Sequence, residues 1–252
     1  MTKRLIVFAY GAVCYAVFLA VLVYALGFVG NFGVPKALDG PPAADLGRAL
    51  FVDLALLALF AVQHSVMARP AFKRILTRVV PEPAERSTYV LASSVALIVL
   101  FAAWEPLGGV VWQVERPAGR ALLYGLFAFG WGLVLATTFL INHFDLFGLR
   151  QVGLYLRGQE YAPLRFVTPG PYKVVRHPLY VGWLFAFWAT PQMTYAHLLF
   201  AIMTTAYILI AIRLEERDLV AALGADYETY RQRVPMLIPA VGAVRRIDGG
   251  ES

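Results

Sequence analysis

Residues 5–29 read LIVFAYGAVCYAVFLAVLVYALGFV, an apolar run without a single charged side chain. A helix rising 1.5 Å per residue needs about 20 such residues to cross roughly 30 Å of hydrocarbon. The run therefore reads as a membrane span. Lys3 and Arg4 precede it in the manner of a signal peptide. Its apolar length exceeds the roughly 7 to 15 residues of a usual signal core, so an uncleaved first span is expected.

Working outward, residues 46–67, 87–104 and 121–141 repeat the pattern, separated by stretches rich in Pro, Gly and charge such as 36–45. A last apolar stretch, 179–212, is broken at Thr190-Pro191-Gln192, where proline and polar groups favour a turn. It reads as a helical hairpin. Its first arm, 179–190, would extend only about 18 Å, too short to cross unless it tilts, so it is expected to be partly re-entrant or shielded by protein. The expected fold is all-α: a polytopic membrane bundle of four long spans, a C-terminal helical hairpin with a short first arm, and a cytoplasmic amphipathic tail helix within 214–235.

Composition agrees with lipid as the solvent. Of 252 residues 60% are hydrophobic and 15% charged, with a mean hydropathy of +0.65. The net charge of +6 does not point to nucleic acid, because Lys and Arg excess in a membrane protein reports topology and anionic headgroups. Eighteen of the 22 Lys and Arg fall in residues 1–4, 69–86, 143–176 and 213–252. The positive-inside rule then puts both termini and these loops in the cytoplasm, in a bacterial inner membrane. The lone Cys14 sits in an apolar run, which excludes a disulfide framework, and four scattered histidines give no metal-ligand spacing. Neither a metal nor an obligate protein partner is expected.

The densest chemistry lies at residues 168–182, TPGPYKVVRHPLYVG, at the basic entry to the hairpin. Pro178 suits the first turn of a helix, so Arg176 and His177 flank a helix N-terminus, a place suited to an anion. Where the return arm reaches the same face stands Arg213-Leu214-Glu215-Glu216-Arg217-Asp218. On spacing alone each cluster also reads as an ordinary interfacial or solvated helix end. The hairpin brings them together, giving a pocket of both charge signs fit for a zwitterionic ligand.

The order Gly-Pro-Tyr, Arg-His-Pro-Leu-Tyr-x-Gly, apolar hairpin, Glu-Glu-x-x-Leu, then Tyr227, Tyr230 and Val234-Pro235 resembles isoprenylcysteine carboxyl methyltransferases and their bacterial relatives. The resemblance covers the last third of the chain. It implies that Tyr172, Arg176, His177, Tyr180, Glu215 and Glu216 enclose S-adenosyl-L-methionine, with S-adenosyl-L-homocysteine as product. Chemistry suits these roles: Arg and His can hold the methionyl carboxylate, Glu the ribose or ammonium, and Tyr the adenine.

Gln63-His64-Ser65-Val66-Met67, Pro83-x-Glu85-Arg86-Ser87-Thr88-Tyr89 and residues 141–151, INHFDLFGLRQ, extend the resemblance across nearly the whole chain. They are similar to bacterial methanethiol S-methyltransferases, and similar segments occur in NnrU-like membrane proteins linked to nitrogen-oxide metabolism. The resemblance implies methylation of a small thiol, methanethiol, to dimethyl sulfide. The alternatives are a lipid or prenylated acceptor, or a non-catalytic NnrU-like protein. Residues 1–142 would shape the substrate side and 143–252 the cofactor pocket.

His64 ends the second span, while Asn142, His143 and Asp145 end the fourth, all at about the depth of the cofactor motifs. They are the candidate catalytic residues: His64 or His143, the latter oriented by Asp145, would accept the thiol proton. Asp53, about 16 Å further along the same helical face as His64, reads as a helix–helix contact, and His197 as an interfacial residue.

Overall fold

The computed structural model of the chain describes residues 1–42 and 44–239. The last thirteen residues of the expected 143–252 region, with Arg245 and Arg246, lie outside them. In chain order the elements are α1 (Thr2–Gly30), α2 (Leu46–Ala68), α3 (Pro70–Leu76), α4 (Glu85–Ala103), β1 (Val110–Gln113), α5 (Pro117–Ile141), α6 (His143–Leu146), α7 (Leu149–Arg157), α8 (Pro178–Trp188), β2 (Gln192–Thr194), α9 (Tyr195–Leu223) and α10 (Ala225–Arg233). Helices α1, α2, α4, α5 and α9 are long and apolar enough to cross a membrane. Large apolar side chains such as Val13, Val62, Leu122 and Ile210 point outward from them, the surface a lipid solvent requires. The chain is an integral multi-pass membrane protein.

Local chemistry sets the helix ends. Asp45 caps α2 by accepting from the Arg48 amide, Pro117 and Pro178 occupy the first turns of α5 and α8, and the Thr194 hydroxyl caps α9 through the His197 amide. The termini of the elements gather at two ends. One end carries the N-terminus, α3, α6, α7, the loop to His177 and α10; this is the basic end. The other carries residues 31–42, 44–45, 104–116 and 189–194.

The hairpin break at 190–192 is more than a turn. Residues 192–194 pair antiparallel with β1, Val110 opposite Thr194 and Gln113 opposite Gln192, and the Val114 amide donates to Pro191 O at 2.8 Å. Pro191 leaves the backbone beside it without helical partners, and strand pairing satisfies those groups. This end is sealed further by Trp104, which is fully buried and donates to Leu38 O, and by Asp39, which accepts from Thr194 and stands 3.4 Å from His197 Nδ1. His197 is thus a buried structural residue, 1% exposed, with Nε2 2.9 Å from Phe187 O. Asp53 is structural too: its Oδ1 accepts from the Glu105 amide at 2.9 Å, tying α2 to the end of α4.

The short arm α8 is shielded by protein. It packs most extensively on α5, where a Cβ added at Gly182 would stand 2.8 Å from Gly130 O, and one added at Gly130 only 2.6 Å from the Ala186 amide. Two backbones approach this closely only where both carry glycine. The tail differs from a single helix over 214–235. Residues up to Leu223 prolong α9, Gly224 breaks it with φ +60° and ψ −132°, and α10 follows with Tyr227 as its buried side chain. That backbone conformation belongs to glycine, which explains where the helix divides.

Candidate active site

At the basic end the two cofactor motifs meet. Arg176 and His177 precede α8, and Glu216 projects from α9 between them: its Oε1 accepts from Arg176 Nε at 2.8 Å and lies 2.9 Å from His177 Nε2. All three side chains are nearly buried, at 11%, 5% and 12% exposure. The rest of the Arg176 guanidinium is committed to the tail. Its Nη1 donates to the carbonyls of Arg231 and Val234, while the Arg176 and His177 amides donate to Pro235 O and Met236 O. The result is a knot of α8, α9 and tail around one carboxylate oxygen. Beside it, the Tyr180 hydroxyl donates to Glu215 Oε2 at 3.1 Å, and Tyr230 donates to Tyr172 O at 2.6 Å. The six expected cofactor residues thus share one neighbourhood.

Against the knot lies a cavity of about 280 Å³ lined by Arg213, Glu216, Arg217, Val220 and Arg231. Three guanidiniums facing one carboxylate make it strongly electropositive. On the tail side, Phe166 packs edge-on against Tyr227 and Tyr230. The Tyr227 hydroxyl is buried and has no hydrogen-bond partner among the described residues. Burial pushes the Tyr227, Tyr172 and Tyr230 phenols above their ordinary value, Tyr230 to about 12, so all three are donors at neutral pH.

A second polar cluster sits deeper, four residues before the end of α2. His64 Nε2 lies 2.8 Å from the Tyr89 hydroxyl of α4 and Nδ1 3.2 Å from Ser93 Oγ. Phe60 stacks on the imidazole, and Tyr207 of α9 approaches it edge-on while hydrogen bonding Ser65 at 3.2 Å. The seam between α2 and α9 is locked one turn further along by Arg69 and Asp218, 2.8 Å apart. Tyr207 and Tyr89 both lie within electrostatic reach of Tyr180, which connects this cluster with the knot.

The remaining candidates form a different unit. His143 is 3% exposed, its Nδ1 2.8 Å from the Thr138 hydroxyl, its Nε2 2.8 Å from the Tyr15 hydroxyl, and its ring stacked on Phe139 at 4.2 Å. Burial holds this imidazole below its ordinary pKa. Asp145 does not orient it. The Asp145 carboxylate pairs with Arg150 at 2.8 Å and accepts from Tyr161. Asn142 is the corner itself, held at φ +132°, where its Oδ1 accepts from the Asp145 amide and caps α6. Such a conformation in a residue with a side chain is strained and needs its surroundings to hold it. Next to this corner Gly148, at φ +88°, faces Ser87, and a Cβ there would stand 2.6 Å from Ser87 Oγ, so two of the front-half motifs dock directly on each other.

Known proteins match the chain over the whole of this arrangement. It is 57% identical over 240 residues to a methanethiol S-methyltransferase of Crocosphaera subtropica, covering 95% of this chain and 94% of that one. To the methanethiol S-methyltransferase of Mycobacterium tuberculosis it is 54% identical, covering 94% and 97%. Nurim of Bos taurus is 30% identical over 207 residues, covering 77% and 78%. The NnrU protein family matches residues 53–222. The chain belongs to the NnrU family. With its S-methyltransferase relatives, it is a methyltransferase. No solved structure matches it.

In this NnrU-family methyltransferase several site residues carried no separate sequence signal. Arg213 and Arg217 read as a solvated helix end, yet both line the cavity. Arg231 becomes visible only once α10 folds back on the knot. Tyr207 lies in an apolar run, and only its one polar atom, nine residues before Glu216 on the same helix, hinted at a role.

Proposed function

We propose that this methyltransferase takes the methyl group of S-adenosylmethionine and places it on a small thiol, methanethiol, giving dimethyl sulfide at the cytoplasmic face of the membrane. The observation that carries the reading is that α9 presents Glu216 to the cavity, Glu215 to Tyr180 and Tyr207 to the His64 cluster, so one helix serves both the charged cavity and the aromatic cluster. The full-length likeness to two methanethiol S-methyltransferases supports the acceptor. The concentration of Lys and Arg at the basic end supports a cytoplasmic site with both termini inside.

The residues present fit the donor. The cavity's guanidiniums suit a carboxylate and Glu216 an ammonium, the buried unpartnered Tyr227 hydroxyl waits for an acceptor, and Phe166 and Tyr230 offer faces to a purine. Because Arg176 is committed to the tail and Glu216, we assign the carboxylate to Arg213, Arg217 and Arg231, and give Arg176 and His177 the task of fixing Glu216. When bound, the donor supplies an electrophilic sulfonium methyl; the protein supplies alignment, for which well-oriented reactants gain about 7–11 kcal/mol, and a proton acceptor. We assign the acceptor to His64. His143, Asn142 and Asp145 build the corner that docks α5 on α1 and α4. In this reading residues 1–142 shape the thiol side and 143–252 the donor side, in one integrated unit.

The test is to incubate detergent-purified protein with S-adenosylmethionine and methanethiol and measure dimethyl sulfide in the headspace, with Arg213→Ala/Arg231→Ala as control. Robust product, lost in the control, is expected. No product from protein that still binds S-adenosylhomocysteine would refute the small-thiol acceptor and redirect the search to lipid thiols.

A further inference from the structure

The His64 cluster contains an acceptor that is better placed than His64 to meet a substrate. Both imidazole nitrogens are engaged, Nδ1 with Ser93 Oγ and Nε2 with Tyr89 Oη. Gln63 Nε2 donates to the same Ser93 oxygen at 3.4 Å. An arrangement that satisfies all of them has Nδ1–H donating to Ser93, which leaves the Nε2 lone pair to receive the Tyr89 hydroxyl. The imidazole then offers no nitrogen to a ligand. The Tyr89 oxygen keeps its lone pairs and makes no other hydrogen bond among the described residues. Close by, Gln63 Oε1 is buried without a donor, a second acceptor left open beside the same cluster. Tyr89 is also within electrostatic reach of Tyr180 in the donor motif.

Resting on the small-thiol reading above, we propose that Tyr89 is the catalytic residue that meets the thiol and passes its proton to His64. The thiol S–H bond breaks as the Tyr89 oxygen takes the proton, and the Tyr89 proton moves to His64 Nε2. The sulfur electron pair so released forms the new S–CH₃ bond at the expense of the donor's sulfonium S–CH₃ bond. The proton on His64 returns through the Tyr89 hydroxyl to water once the methylated product has left. Arg86 and Arg69, with Glu85 and Tyr207, are the charged and titratable groups around Tyr89, and Arg86 also faces His64. Arg86 favours negative charge growing on sulfur and works against a lasting positive charge on His64, so the imidazole holds the proton only in transit, while Arg69 is already paired with Asp218.

Tyr89→Phe tests this in the full-length enzyme, since it keeps the ring contact with His64 and removes only the oxygen. With methanethiol kcat should fall by about 100-fold or more, the usual worth of a positioned proton acceptor, while S-adenosylhomocysteine affinity stays unchanged. With 2,2,2-trifluoroethanethiol, whose proton is far more acidic, the loss should shrink at least tenfold. Tyr207→Phe, which removes a phenol bonded to Ser65, should lose the same fraction with both thiols. A readout independent of turnover is the thiolate ultraviolet band of trifluoroethanethiol added to the S-adenosylhomocysteine complex: it should appear at lower pH with the unsubstituted enzyme than with Tyr89→Phe. Equal losses with both thiols, or identical thiolate titrations, would overturn the relay while leaving the thiol reading intact. Absence of turnover by the unsubstituted enzyme would overturn both.

Discussion

Glu216→Ala removes the single oxygen shared by Arg176 Nε and His177 Nε2, where all three side chains are nearly buried. Taking one partner from a buried ion pair costs about 3–5 kcal/mol, chiefly because a guanidinium is left unpaired. For a chain of this size that corresponds to roughly 6–20 °C of melting temperature. Because Arg176 also carries the tail through the Arg231 and Val234 carbonyls, the loss should be concentrated there: thermal unfolding in detergent should show the drop, and limited proteolysis should cut the 225–236 segment faster than the loops of the opposite end. Glu216→Gln, which keeps an acceptor oxygen without the charge, should recover part of the melting temperature. A Glu216→Ala protein that melts within about 1 °C of the parent, with unchanged tail cleavage, would refute the knot.

Three further outcomes are expected. Gly182→Ala forces a methyl to within 2.8 Å of Gly130 O, and this overpacking should destabilise the α5–α8 seam by about 1–3 kcal/mol in denaturant or thermal melts. Arg213→Ala and Arg231→Ala should each weaken S-adenosylhomocysteine binding about 10- to 100-fold by calorimetry without moving the melting temperature, because both side chains line the cavity and Arg231 enters the knot only through its backbone carbonyl, which the substitution keeps. Burial keeps His143 neutral in the fold, so its contribution to stability is complete above its unfolded pKa of about 6.5 and is lost as pH falls from there toward the lower folded value; melts between pH 7.5 and 5 should show the loss, and His143→Gln should flatten it.

The bundle was legible because lipid imposes a length and a polarity that residues such as 5–29 cannot satisfy otherwise. The Pro191 break and the short arm before it were legible for the same reason. What periodicity does not encode is how exposed backbone finds partners: the ribbon of 110–113 with 192–194 follows from unpaired amides beside Pro191, a demand visible only in three dimensions. At the site, the ordered motifs placed Arg176, His177, Tyr180, Glu215 and Glu216 together, and the structure has them in contact, but which partner each one takes is not written in the order. An arginine before a helix N-terminus reads as an anion binder until the tail carbonyls are seen to use it. Likewise shared depth grouped His64 with His143, whereas rotation about their helices turns one toward Tyr207 and the other toward Tyr15.

Helix α9 runs unbroken from Tyr195 to Leu223, so Tyr207 and Glu216 are fixed points on one rod about 13 Å apart. Both ends of that rod are held. At the end away from the basic loops Thr194 and His197 contact Asp39, and at the other Glu216 is gripped by Arg176 and His177. Any tilt imposed where the charged groups gather must therefore be transmitted to the ring of Tyr207, and a change in the space around His64 must be felt back at the carboxylate. Glu216 at the cavity and Tyr207 beside His64 therefore keep one fixed separation, and neither can shift along the axis without the other.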